Sequence, residues 1–187
     1  MSRLIVMLSV SLDGFFEGPG GDISWHHVTE ELHRDMNAVL GASGGLLNGR
    51  RNWELMSEFW PDVDAGEPEV MQEFSAIWNR LPQHVFSTTL ESVGHGATLH
   101  RSVDVVPRLK AEADGDLYAG GGTLAAALAR RGWVDGYVLH VCPVVLGAGS
   151  PLFAPGERQE LRLTRHKTYP DGVIQLHYET GGRSARC

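Results

Sequence analysis

Asp116-Leu117-Tyr118-Ala119-Gly120-Gly121-Gly122-Thr123-Leu124, continued by an alanine-rich run to Arg131 and closed by Gly132, carries the reading of the fold. A short apolar strand meets three glycines. The chain then turns helical over residues 123–131, where alanine and leucine favour the helix and Gly132 supplies its stop. Residues 134–141 are apolar again and form the next strand. Strand, tight turn, helix and strand in that order is the unit that joins parallel strands in an α/β sheet.

The flanks agree. Leu4-Ile5-Val6-Met7-Leu8 is too short for a helix and ends before Asp13-Gly14, as a central strand covered on both faces does. Gly18-Pro19-Gly20-Gly21 marks a loop. Val28, Leu32, Met36, Val39 and Leu40 then fall at helical spacing, with Thr29 as N-cap, Glu30 and Glu31 in the first turn and Gly41 at the close. Residues 44–49 form a second strand that runs at once into a helix over residues 50–56. Val70, Met71, Phe74, Ile77, Trp78 and Leu81 predict a helix that Pro82 ends, followed by a strand over residues 84–87. A weaker helix covers residues 103–113. Residues 161–169 and 173–179, parted by Pro170-Asp171-Gly172, predict a closing hairpin. The whole reads as an α/β domain whose mixed, mostly parallel sheet is flanked by helices and finished by an antiparallel hairpin.

A length of 187 residues with 42% hydrophobic content suits one domain with its own core, expected over residues 1–180, with residues 181–187 as a flexible tail. The formal charge of -7 and the lack of a basic stripe argue against nucleic acid or an anionic membrane as partner. Cys142, in an apolar run, and Cys187 form neither a disulfide framework nor a metal spacing. The N-terminal strand lacks the features of a signal peptide, and no apolar stretch nears the roughly 18 residues that span a bilayer. A soluble, cytoplasmic protein is expected. Nine histidines are scattered without metal-ligand spacing, so no metal site is expected, and no serine sits in a nucleophile elbow.

Four constellations could carry chemistry. Asn48-Gly49-Arg50-Arg51-Asn52-Trp53 puts two arginines at a helix start, where backbone N–H groups and guanidinium forks attract phosphate; a solvated basic helix start is the plain alternative. Gly120-Gly121-Gly122-Thr123 is again a glycine turn into a helix, either a phosphate cradle or a structural turn. Ser11-Leu12-Asp13-Gly14 places an acid at the carboxyl end of a buried strand, the edge where open α/β sheets bind ligands; a turn-forming Asp-Gly would look the same. Residues 143–153 are an apolar, glycine-containing loop that suits a simple crossover. Trp25 lies in a glycine-rich loop beside the expected ligand edge.

Taken in order, Val10-Ser11-Leu12-Asp13-Gly14, Trp25, Gly49-Arg50-Arg51-Asn52-Trp53, Gly120-Gly121-Gly122-Thr123-Leu124 and residues 143–153 resemble the dihydrofolate reductase-like superfamily, on the branch of the riboflavin-biosynthesis reductase domain. The resemblance runs from about Arg3 to Glu179. It implies a mixed sheet binding NADPH along its strand ends, a homodimer and a small-molecule substrate. Carried over by motif, Arg50 would hold the 2′-phosphate of NADPH, with Gly49 before it and Arg51 and Asn52 at the same helix start. Ser87 and Thr88 would flank the adenine ribose, and Gly120, Gly121, Gly122, Thr123 and Leu124 would cradle the pyrophosphate. By the same resemblance Asp13 and Trp25 would border the nicotinamide and substrate pocket, with Glu30 or Glu31 at the place of a substrate-binding acid; from its position at the end of a buried strand on the ligand edge, Asp13 is the first candidate for the proton source, and Glu30 and Glu31 are next. Two positions depart from the riboflavin-pathway pattern: Ala119-Gly120 stands where a glutamate usually precedes the glycine pair, and the first strand has no lysine. The implied activity is an NADPH-dependent reduction of a small polar heterocycle or a related C=N or C=O compound. The alternatives are the riboflavin-pathway 5-amino-6-(5-phosphoribosylamino)uracil reductase and a non-catalytic NADPH-binding protein.

Overall fold

A computed structural model describes residues 2–153 and 158–181. The sheet grows from β1 (Leu4–Ser11), in which alternate residues enter two different cores. Leu4 and Val6 pack on one face with Leu117, Ala119, Leu124 and Leu128. Ile5 and Met7 pack on the other with Trp53, Phe74, Ile77 and Trp78. Each such side chain contributes about 1.5–3 kcal/mol when fully buried. A continuous apolar run is therefore what a strand covered on both faces requires.

β1 lies between β6 (Leu117–Gly120) and β7 (Gly136–Cys142), parallel to both. Beyond β6 stand β3 (Gly45–Gly49), β4 (Gln83–Phe86) and β5 (Thr98–His100), all parallel. Beyond β7 the hairpin of β9 (Leu161–Thr168) and β10 (Ile174–Thr180) adds two antiparallel strands. The eight-stranded order is β5-β4-β3-β6-β1-β7-β10-β9. A separate two-stranded ribbon pairs β2 (Phe15–Glu17) with β8 (Ser150–Pro151).

Among the described residues five α-helices connect these strands: α1 (Glu30–Gly41), α2 (Arg50–Phe59), α3 (Glu69–Arg80), α4 (Val106–Glu112) and α5 (Gly122–Arg130). Thr29 caps α1 by accepting from the Leu32 amide at 3.4 Å, as its position in the sequence predicts. Gly132 takes a positive φ of 67° just past α5, where an L side chain would be strained. Sequence reading had residues 143–153 as a crossover loop, and it missed β5 and the β2–β8 ribbon. No helix among the described residues is long and apolar enough to cross a membrane. The expected tail and Cys187 lie outside the described residues, apart from Gly181.

Candidate functional site

The parallel strands β4, β3, β6 and β1 end on one edge, and there a cavity of about 950 Å³ opens. Two helices begin on its wall. α2 starts after Gly49 and α5 after Gly121, and neither has a side-chain cap. The first amides of both helices thus have no intrahelical acceptor and no capping side chain. Two uncapped helix starts facing one space make a strong anion site.

The glycine turn is shaped by its neighbours as well as by any ligand. Gly121 sits at φ 88° and a Cβ there would lie 3.0 Å from Cβ of Asn52; a Cβ on Gly122 would fall 2.2 Å from the Phe16 ring. Asn52 itself donates to Asn48 at 2.6 Å, and Asn48 donates to the buried Gln83 at 3.0 Å. Every sequence-predicted cofactor residue except Gly120 lines the cavity: Gly49, Arg50, Arg51, Asn52, Ser87, Thr88, Gly121, Gly122, Thr123 and Leu124. Gly120 lies behind Asn52, whose amide nitrogen a Cβ there would meet at 2.9 Å.

The two arginines part company. Arg50 gives Nε to Glu54 at 2.7 Å and Nη1 to the Thr89 hydroxyl at 3.0 Å; Nη2 makes no hydrogen bond among the described residues. Arg51 turns the other way, giving Nη1 to Glu17 at 2.9 Å and Nη2 to the Gly21 carbonyl at 2.9 Å. Both of its terminal nitrogens are engaged with the segment of β2 and Gly21, so Arg51 fastens that segment to α2 while Arg50 faces Glu54 and Thr89. Ser87 is buried, and its hydroxyl accepts from the amides of Thr89 at 3.1 Å and Leu90 at 3.0 Å, so it shapes the loop that presents Thr88.

Asp13, Trp25, Glu30 and Glu31 do not line the cavity. The Asp13 carboxylate is exposed and accepts from the Ser11 hydroxyl at 2.7 Å and from the amides of Leu146 at 3.1 Å and Gly147 at 2.8 Å. The Ser11 hydrogen bond, aided by those two amides, holds its pKa below the usual carboxylate value. An ionised group already holding a loop is a poor proton donor, and the contacts of Asp13 in this structure are those of a loop fastener. Trp25 is buried against Leu32, Cys142, Tyr169 and Val173, with its indole N–H on the Asp22 carbonyl at 3.0 Å. Glu30 and Glu31 are exposed and pair with Arg34 and Lys167. None of these three borders the cavity, because each is engaged in packing or ion pairs elsewhere.

Sequence reasoning missed Phe16, Glu17, His26 and Arg101, which line the wall. Arg101 clamps the loop after β4, giving Nη1 to the carbonyls of Ser87, at 3.1 Å, and Leu90. The strand before it, β5, is too short to be read from the sequence, so Arg101 left no signal there. For His26 the signal was its place next to Trp25 in the loop that follows β2.

The sequence matches the family description of the RibD C-terminal domain over residues 2–175. YyaP of Bacillus subtilis (strain 168), itself uncharacterized, is 29% identical over 184 residues, covering 96% of each chain. YwjB of the same organism, also uncharacterized, is 27% identical over 188 residues, covering 94% of this chain and 97% of its own. Among solved structures, a Shewanella sp. PV-4 protein named for riboflavin biosynthesis superposes with a TM-score of 0.72 at 22% identity, over 96% of this chain and 99% of that one. Acinetobacter baumannii RibD gives 0.70 at 13% identity, over 97% of this chain but 58% of the longer protein. The match to the family over residues 2–175, with a fold shared with the solved structures, places this chain in the RibD C-terminal domain family, with its dihydrofolate reductase-like fold.

Proposed function

We propose that the protein is an NADPH-dependent reductase of a small polar heterocycle or a related C=N or C=O compound. The observation that carries this reading is the pair of uncapped, glycine-started helices, α2 and α5, opening on one cavity beside Arg50. A dinucleotide has a pyrophosphate and, in NADPH, a further phosphate on the adenosine ribose. The start of α5 suits the first and the free Nη2 of Arg50 suits the second. Strand neighbours lie about 4.8 Å apart. The cavity edge from β4 to β1 therefore gives an extended ligand room to lie across the strand ends. When bound, NADPH supplies the hydride; the chain holds it, orients it and shields the site from water. Asp13 does not line the cavity, which disfavours it as the source of the proton that accompanies the hydride.

Fluorescence titration of NADPH and NADH tests the reading. A charge-assisted contact contributes about 1.5–3 kcal/mol, so NADPH should bind about 10- to 150-fold more tightly than NADH. Arg50→Gln should erase most of that preference. Equal affinities in the unaltered protein would refute the assignment.

A further inference from the structure

At the β4 end of the cavity, the loop after β4 carries two hydroxyls whose hydrogen bonds can be counted. A serine or threonine hydroxyl has one proton and two lone pairs. The buried Ser87 oxygen accepts from the amides of Thr89 at 3.1 Å and Leu90 at 3.0 Å, which occupies both of its lone pairs. It stands 3.4 Å from the Thr89 hydroxyl, and in that loose pair it can only be the donor. Thr89 accepts from Ser87 and, at 3.0 Å, from Nη1 of Arg50, so its lone pairs are occupied as well. The Thr89 proton has no acceptor among the described residues.

That proton is on the cavity wall. Thr89 is exposed and lines the cavity together with Arg50 and Glu54. Its loop is fixed from behind, where the Ser87 amide donates to the His100 carbonyl at 3.0 Å and Arg101 holds the carbonyls of Ser87 and Leu90. Arg50 is oriented too: Nε is on Glu54 at 2.7 Å and Nη1 on Thr89, which leaves Nη2. Two available donors, Nη2 of Arg50 and the Thr89 hydroxyl, thus sit on groups already bonded to each other. Phosphate oxygens are met best by several donors at once, and the carboxylate of Glu54 offsets part of the Arg50 charge. A second donor beside Arg50 therefore matters to an anion bound there.

Resting on the NADPH reading, we propose that Thr89 is a specificity-determining residue whose hydroxyl donates to the phosphate on the adenosine ribose of NADPH, beside Nη2 of Arg50. NADH carries a hydroxyl at that place, and a hydrogen bond to a neutral acceptor is about half as strong as one to a charged oxygen. Thr89 thus raises the preference for NADPH and not only the affinity for dinucleotides. Ser87, expected from the sequence to flank the ribose, is buried with its hydroxyl given to the loop, and so is the scaffold on which Thr89 stands.

Fluorescence titration of NADPH and NADH against the unaltered chain, Thr89→Val and Thr89→Ser tests this. Valine keeps the shape of threonine without the hydroxyl. Thr89→Val should weaken NADPH about tenfold and NADH less than about threefold, while Thr89→Ser should recover most of the loss. Retained NADH binding also reports that the variant is folded. In an Arg50→Gln background Thr89→Val should still weaken NADPH several-fold, since the hydroxyl donates directly; no further loss would show that it only holds Arg50. That result, an unchanged or equal effect on the two cofactors, or a serine variant no better than valine would overturn the proposal. Each of these leaves the NADPH preference of the unaltered protein in place. Equal affinities in the unaltered protein would instead refute the cofactor reading, and the role of Thr89 falls with it.

Discussion

Acidification should destabilise this protein through one buried residue, His140. Its side chain is 1% exposed, and Nε2 faces the side-chain nitrogen of Gln175 at 3.1 Å, while the Gln175 oxygen faces Nε2 of His177 at 2.9 Å. Gln175 thus donates to His140 and accepts from His177, which leaves His140 neutral with its proton on Nδ1. Burial above all, with the neighbouring His177 and His26, pulls its pKa from 6.5 to about 4. The folded pKa lies below the unfolded one, so the unfolded chain takes up the proton first as pH falls. Stability is complete above pH 6.5, declines through the window down to about 4 and is flat below it. At about 1.36 kcal/mol per unit, the whole window is worth about 3 kcal/mol, of which about 2 kcal/mol is lost between roughly pH 7 and pH 5. Urea unfolding followed by tryptophan fluorescence measures it, in the unaltered protein and in His140→Gln. Burial also holds half-buried His33 and His84 and buried His100 below their usual pKa, and these act alike in both proteins; His26 and His177, held low as well, are coupled to His140, so the difference reports His140 together with that coupling. The same pH dependence in both would refute the reasoning.

Two further substitutions probe the loops over the cavity. In Gly149→Ala the new methyl would stand 2.1 Å from the Glu17 carbonyl oxygen at a φ of 143°, so the β2–β8 ribbon must open, at a cost of about 2 kcal/mol or more in urea unfolding; an unchanged midpoint would contradict the geometry. Asp13→Asn should speed hydrogen exchange at the Leu146 and Gly147 amides while leaving NADPH affinity and the shape of the pH–rate profile intact. Loss of an inflection from that profile, with exchange unaltered, would restore Asp13 as the proton source.

Local rules made the strands and helices legible, and long-range contacts account for what stayed hidden. β1 could be read because both of its faces are buried, and α5 because glycines bracket an alanine-rich helix. Both glycine-led helix starts at the cavity were visible for the same reason: a strand end and a helix start are adjacent in sequence. β5 has three residues and the β2–β8 ribbon five in all, too few for a period to declare itself. The role of Asp13 depends on amides more than a hundred residues away, at Leu146 and Gly147. Arg50 and Arg51 look equivalent as neighbours, yet successive helix positions point about 100° apart. One accordingly reaches Thr89 and the other Glu17.

That division bears on how the two ends of the cavity can vary. The β4 end and the glycine turn are built from strand ends and the first turns of α2 and α5, whose positions are set by the core beneath them, including Trp53, Leu124 and Ala125. A cradle made of backbone N–H groups survives most side-chain replacements, and it lets an acidic chain attract an anion with few cations. The β1 end, by contrast, is held in place by side chains: Arg51 to Glu17 and Gly21, Glu17 to Ser150, and Asp13 to Leu146 and Gly147. Each of these fastenings can be lost to a single substitution without unseating the sheet. Substrate preference should therefore shift within this fold through residues 13–26 and 143–153, while dinucleotide binding persists. A substitution in those two segments that abolished NADPH binding but spared the β1 end would show that the division is drawn in the wrong place.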